Sequence, residues 1–106
     1  MGKKRTLIKE LKRFADDILI DYSIKKMILF GSRAWGKPHK DSDVDLLIIS
    51  DKFRRKGRLD RSPSIYLRWN LDYPVDFLCL TSDEFNKKKK EISIVKEAAE
   101  KGVKII

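Results

Sequence analysis

Residues 31–50 read GSRAWGKPHKDSDVDLLIIS. An apolar run, Met27-Ile28-Leu29-Phe30, stops at Gly31-Ser32, and a second, Leu46-Leu47-Ile48-Ile49, starts from Asp43-Val44-Asp45. Short apolar runs bounded by turn residues predict strands, here over 25–30 and 43–49. The first is apolar on both faces and so belongs in the middle of a sheet. Between them, 32–36 reads as a short helix with Ser32 near its start, and Lys37-Pro38-His39-Lys40 as a loop, since proline lacks an N–H and restricts its neighbour. Asp41-Ser42 completes the turn. The link from Ser32 to Ser42 is too short for an ordinary parallel crossover, so the two strands are expected to be antiparallel. That arrangement sets Gly31-Ser32, at the end of one strand, beside Asp43, at the start of the other.

Alternation along the second strand puts Asp43, Asp45, Leu47 and Ile49 on one face and Val44, Leu46 and Ile48 on the other. The Cα atoms of Asp43 and Asp45 are then separated by two strand rises, roughly 6–7 Å. Carboxylates that close repel one another unless a cation lies between them, and hard oxygen donors suit Mg²⁺ or Mn²⁺. The neighbouring Gly-Ser turn offers N–H groups and a hydroxyl to a phosphate. A phosphate cradle beside paired carboxylates is equipment for phosphoryl or nucleotidyl transfer. Taken singly, a Gly-Ser turn or an Asp-x-Asp is usually only a turn or a salt-bridged strand start. Both together, eleven residues apart from Ser32 to Asp43, are far more specific.

A third strand is predicted over 74–80, PVDFLCL, with Val75, Phe77 and Cys79 facing one way and Asp76, Leu78 and Leu80 the other. A carboxylate in such a pattern calls for a partner. If this strand runs parallel to the second through a right-handed crossover, Asp76 reaches the same edge as Asp43 and Asp45.

Gly31-Ser32, Ala34 and Gly36, followed by Ser42-Asp43-Val44-Asp45-Leu46, resemble the signature of the DNA polymerase beta nucleotidyltransferase superfamily. In size the chain is similar to its smallest members, the minimal nucleotidyltransferases, which are often encoded beside HEPN-domain proteins. The resemblance is strong over about residues 24–80. It implies an α/β (α+β) nucleotidyltransferase fold, a small mixed sheet flanked by helices. Asp43, Asp45 and Asp76 would be the catalytic carboxylates and the ligands of two Mg²⁺ ions in the family's two-metal arrangement. Gly31, Ser32 and Arg33 would meet the phosphates of ATP or another nucleoside triphosphate. In HEPN-associated relatives the acceptor is a tyrosine of the partner, and transfer silences a ribonuclease, which implies an antitoxin role. Relatives often carry Arg at the position of Trp35. Here Trp35 is read as packing under the loop, with stacking on a base as its other use, and Arg33 as either a triphosphate contact or an exposed loop residue.

The 106 residues suffice for one small domain, 1–106. Apolar residues make up 42% and charged residues 39%, and no apolar stretch approaches the ~20 residues of a membrane span. The basic N-terminus lacks the apolar centre of a secretory signal. Cys79, the one cysteine, has no internal partner and reads as a core thiol in a cytoplasmic protein. The formal net charge of +9 is uneven: 41–51 hold four Asp and no Lys or Arg, while cations gather in 52–68 and 87–90. Such a chain attracts polyanions weakly and without sequence preference.

Elsewhere, Leu7, Leu11, Phe14, Ile18 and Tyr22 form one stripe of a helix over 3–22. Residues 51–62 read as a basic loop. Ser62-Pro63 opens a helix, Ser62 as N-cap, packed through Ile65, Tyr66, Trp69 and Leu71; a strand through IYLRW is the alternative. Thr81 and Glu84 match a capping box, Lys87–Lys90 a solvated face, and His39 a loop residue. A last helix packs through Ile92, Val95 and Ala99 and ends at Gly102, before a short strand over 103–106. Three functions compete: a nucleotidyltransferase acting on a protein, a non-catalytic partner that blocks a toxin sterically, and a basic nucleic-acid-binding module. The three aspartates favour the first over the second, and the lack of a base-reading motif or aromatic platform disfavours the third.

Overall fold

The computed structural model describes residues 2–39 and 42–106, so Lys40 and Asp41 of the expected loop and turn lie outside the described residues. A long helix, α1 (Gly2–Tyr22), precedes strand β1 (Lys26–Phe30), a one-turn helix α2 (Ser32–Trp35) and strand β2 (Val44–Ile49). Helix α3 (Pro63–Arg68), strand β3 (Val75–Leu80), helices α4 (Ser82–Lys88) and α5 (Ile94–Lys101) and strand β4 (Val103–Lys104) follow. The sheet order is β3-β2-β1-β4. β1 is antiparallel to both β2 and β4, and β3 is parallel to β2. The mixed α/β sheet and both expected strand directions are therefore present.

Alternation sorts the sheet's side chains into two apolar layers. Met27, Leu29, Val44, Leu46, Ile48, Phe77 and Cys79 face the stripe Leu7, Leu11, Phe14, Ala15 and Ile18 of α1, with Ile65 of α3 alongside. Ile28, Phe30, Leu47, Ile49 and Leu80 face Phe85 of α4 and Val95 and Ala98 of α5. Full burial of each such aliphatic side chain contributes roughly 1.5–3 kcal/mol, so β2, buried along nearly its whole length, is the most strongly fixed strand. Burial also pushes the Cys79 thiol up to about 12, leaving it a neutral core group.

Several boundaries and contacts differ from the sequence reading. β1, β2 and β3 each begin one residue later than expected, which leaves Asp43 just ahead of its strand, and β4 holds only two residues. Residues 51–62 are not plain loop: they form two 3₁₀ turns, Asp51–Arg55 and Arg58–Asp60, and Phe53 is buried. The 65–69 stretch is helical, not extended, up to Arg68; Pro63 sits in its first turn, but the Ser62 side chain makes no capping bond. In α5 the buried alanine is Ala98, Ala99 is exposed, and Ile92 lies before the helix, fully exposed. A three-residue step from Val95 to Ala98 points inward on this short helix, while Ile92 falls in the turn that joins it to α4. The Thr81–Glu84 capping box is formed, with both reciprocal bonds.

Candidate active site

The end of the sheet where β1 finishes and β2 and β3 begin gathers the residues singled out in the sequence. Antiparallel register sets Phe30 opposite Asp45, and parallel register sets Asp45 opposite Asp76. Three adjacent strands thus deliver the Gly31 turn, Asp45 and Asp76 to one edge, on the face shared with Phe30 and Leu47. Asp45 is half-buried, while Asp43 and Asp76 are exposed.

Gly31 makes the close approach possible. Its φ of 77° lies in the left-handed region that glycine enters without strain. A Cβ at this position would collide with Asp45 Oδ2. The chain turns at once into α2, where Ala34 and Trp35 donate their N–H groups to the Gly31 carbonyl at 2.9 and 3.1 Å. Ser32 is exposed at the mouth of this turn.

Arg33 stands next to the turn and is engaged by the protein. Its Nε donates to the Ser42 carbonyl at 2.9 Å, an Nη to the His39 carbonyl at 3.2 Å, and its guanidinium lies 4.8 Å from the Tyr73 ring centre. It fastens the loop that carries the chain into Asp43. Ser42 reinforces the loop by accepting the His39 N–H on its hydroxyl at 2.7 Å, and His39 is an exposed loop residue. Trp35 is not packed away as expected: it is 38% exposed, because α2 is a single turn that buries only Ala34.

The electrostatics separate Asp45 from an ordinary surface carboxylate. Its pKa is raised, first by burial and then by the charges of Asp76 and Asp43. Among the described residues, none of the three aspartates forms an ion pair. Nor do they converge into a ready-made cage of three metal-binding side chains. They feel one another's charge without being closed around a point. As a donor set they nonetheless fit a divalent cation: all offer hard oxygen atoms, and the Asp76 and Asp43 charges that add to the effect of burial on Asp45 are ones a cation would offset.

One residue of the site was read from the sequence only as packing. The Tyr66 hydroxyl of α3 donates to Asp76 Oδ1 at 3.2 Å and accepts the Phe77 N–H at 3.2 Å. Burial pushes its pKa up, so it keeps its proton near neutral pH. No spacing rule connects a helical tyrosine to an aspartate ten residues on, so only the fold reveals the contact.

The comparisons with known proteins agree with this geometry. Residues 5–105 match the nucleotidyltransferase domain family, and the chain belongs to that family, as one of its minimal nucleotidyltransferases. It is 32% identical over 99 residues to a Methanocaldococcus jannaschii protein named "Putative protein adenylyltransferase MJ0141", covering 93% of this chain and 95% of that one. It is also 32% identical over 95 residues to the Haemophilus influenzae protein named "Probable protein adenylyltransferase MntA", covering 88% and 81%. Among solved structures, a Sulfolobus solfataricus protein described as a putative nucleotidyltransferase superposes with a TM-score of 0.67 at 21% identity, over 81% of this chain and 77% of that chain. That last likeness speaks for the fold. Among the described residues no helix is long and apolar enough to cross a membrane.

Proposed function

We propose that this chain transfers a nucleoside monophosphate from ATP, or another nucleoside triphosphate, to a hydroxyl of a protein, with a tyrosine of a HEPN-domain partner as the acceptor and an antitoxin role as the outcome. The observation that carries the transfer reading is the register pair Asp45–Asp76 lying beside the Gly31 turn, with Asp45 electrostatically loaded by both other aspartates. The names of the two relatives in M. jannaschii and H. influenzae support a protein as the acceptor; the HEPN partner and the cytoplasmic location rest on the family resemblance alone.

In this reading Asp43, Asp45 and Asp76 would hold Mg²⁺ beside the triphosphate, two ions being the expected number. Bound there, the cations neutralise the charge on the triphosphate and on the leaving pyrophosphate. Gly31 and Ser32 meet the outer phosphates through backbone N–H groups and the Ser32 hydroxyl. Arg33 holds the His39 and Ser42 carbonyls, and through Ser42 the residue before Asp43. Asp76, at the exposed edge strand, takes the proton of the acceptor hydroxyl as its oxygen bonds to the α-phosphorus and the bond to pyrophosphate breaks. An edge position leaves room for a bulky protein acceptor.

Calorimetry tests the first half of this reading. ATP is expected to bind more tightly in Mg²⁺ than in EDTA, and equal affinity in both would count against it. Coexpression with a candidate HEPN-domain partner tests the second half. The partner is expected to gain the mass of one or more nucleoside monophosphates. A partner that binds, is never modified and is still neutralised by Asp43→Ala would establish steric inhibition instead.

A further inference from the structure

We infer that Tyr66 is a positioning residue for Asp76: its hydroxyl holds the Asp76 carboxylate in one orientation, so that the docking of α3 sets the geometry of the transfer step. The inference rests on the proposed role of Asp76 in proton removal, and it adds a residue to that role.

The argument starts from the edge of the sheet. β3 has β2 on one side and, among the described strands, none on the other. Asp76 on this edge is exposed, and an exposed aspartate with no partner samples several rotamers. Here it has one. A phenol has a single proton to give. The Phe77 N–H is donated to the Tyr66 oxygen at 3.2 Å, which commits one lone pair and turns the O–H away from the backbone. The proton is then directed to Asp76 Oδ1, also at 3.2 Å. The same hydroxyl therefore satisfies an edge amide and orients the carboxylate next to it. Oδ2 is left for the acceptor proton or a cation.

The ring is held as firmly as the hydroxyl. Tyr66 meets Phe77 edge-on, with ring centres 4.8 Å apart. Phe77 in turn stacks on Phe14 at 5.9 Å and meets Trp69 at 5.8 Å. α3 is tied to α1 by Tyr22 donating to the Ser64 hydroxyl at 2.6 Å and by Arg68 paired with Asp17 and Asp21. A chain of packed rings and bonds thus runs from α1 through α3 to one carboxylate. Second-sphere hydrogen bonds of this kind fix the orientation of the groups that act.

The test compares the parent with Tyr66→Phe, which keeps the ring and its packing and removes only the oxygen. Two readouts are needed. The first is the Asp76 side-chain torsion from NMR scalar couplings, with the exchange rate of the Phe77 amide, both in EDTA and without nucleotide. The parent is expected to show one Asp76 rotamer and a protected amide; the variant, an averaged rotamer and faster exchange. The second is transfer kinetics. The expected result is kcat lower by about 10- to 100-fold, with the KM for Mg²⁺-ATP within about twofold, because Asp43, Asp45 and the Gly31 turn are untouched. An unchanged Asp76 rotamer in Tyr66→Phe overturns the inference even if the rate falls, and so does an unchanged kcat. If the parent transfers no nucleotide to any acceptor, the proposed function fails, while the torsion still decides whether Tyr66 orients Asp76.

Discussion

Both ends of this sheet carry carboxylates, and the protein treats them in opposite ways. At the end where β2 finishes, Asp51 meets Lys25 Nζ at 2.6 Å, pairs with Arg54, and accepts the Ser82 N–H and hydroxyl at 3.0 and 3.2 Å. Its pKa lies well below the usual carboxylate range, chiefly through the Lys25 bond. Glu84 nearby is bound by the buried Arg61 guanidinium, whose Nη atoms reach it at 2.6 and 3.2 Å, and its pKa is lowered to about 2. At the other end, Asp45 is desolvated, crowded by Asp76 and Asp43, and raised. A carboxylate that serves the fold is given cations and N–H donors. One left among like charges serves something the fold does not supply. The contrast fits the proposed division of these carboxylates into structural and functional ones.

The largest effect that sharpens this contrast is on activity. Asp76→Asn is expected to lower nucleotide transfer by on the order of a thousandfold, the scale of several kcal/mol of transition-state stabilisation, with a melting temperature close to the parent's. Asp51→Asn is expected to do the reverse, keeping transfer per folded molecule and lowering the melting temperature. A transfer assay paired with thermal melting checks both. If Asp51→Asn abolished transfer in folded protein, the division between the two ends would fail.

Next in size is Arg61→Ala. Arg61 is 5% exposed and donates to the Lys56 and Cys79 carbonyls as well as to Glu84. Removing the buried guanidinium leaves the buried Cys79 carbonyl without that donor while Glu84 stays part-exposed, a loss of about 1–3 kcal/mol. Urea unfolding should show a loss of that order. A loss below about 1 kcal/mol, the scale of surface pairs, would place Arg61 among them.

Gly31→Ala is expected to cost about 1–3 kcal/mol of backbone strain, and the new Cβ must also displace Asp45. Stability and transfer should fall together. Normal transfer in this variant would show that the close approach of Gly31 to Asp45 is not needed.

The smallest effect is the pH dependence, where the two ends carry opposite signs. Glu84 is depressed in the folded state, so its contribution is present above the ordinary glutamate pKa, near 4.5, and is lost as pH falls toward 2. Asp45 is raised, so the folded state binds its proton more readily than the unfolded chain does. In EDTA its ionisation weakens the fold as pH rises above the ordinary value of 3.8. Melting temperatures of the parent and of Asp45→Asn between pH 3 and pH 7 are expected to converge toward acid and diverge toward neutrality, with the variant the higher of the two. Parallel curves would contradict the assignment.

These signs also mark what the sequence could carry. Strand identity, and the antiparallel direction of the first pair, followed from local physics: alternation in 43–49 and 74–80, and a connection from Ser32 to Ser42 too short for a parallel crossover. Those facts sufficed to set the Gly31 turn beside the start of the second strand, while Asp76 joined that edge only on the condition that the third strand runs parallel to the second, as its register shows it does. The Thr81–Glu84 capping box was equally local. Boundaries missed by a residue or two are local, and the larger failures are mostly tertiary. Phe53 and Arg61 lie in a stretch whose composition reads as loop; Phe53 is buried in the layer shared with α1 and α3, and Arg61 against the Cys79 carbonyl and Glu84. Ile92 looked like part of an apolar stripe because periodicity does not show where a short helix begins. Tyr66 and Asp76 meet across an edge that no spacing defines.

The central claim is that the Asp45 carboxylate burdens the fold and serves the reaction. Thermal melting of the parent and Asp45→Asn, each in EDTA and in Mg²⁺ with nucleotide, tests it most directly. In EDTA the variant should melt at the same temperature as the parent or slightly higher, by no more than about 1 kcal/mol given the solvent exposure of the site. Mg²⁺ with nucleotide should raise the parent's melting temperature and leave the variant's nearly unchanged. A variant that melts well below the parent in EDTA would make Asp45 a structural hydrogen-bonding group and contradict the account.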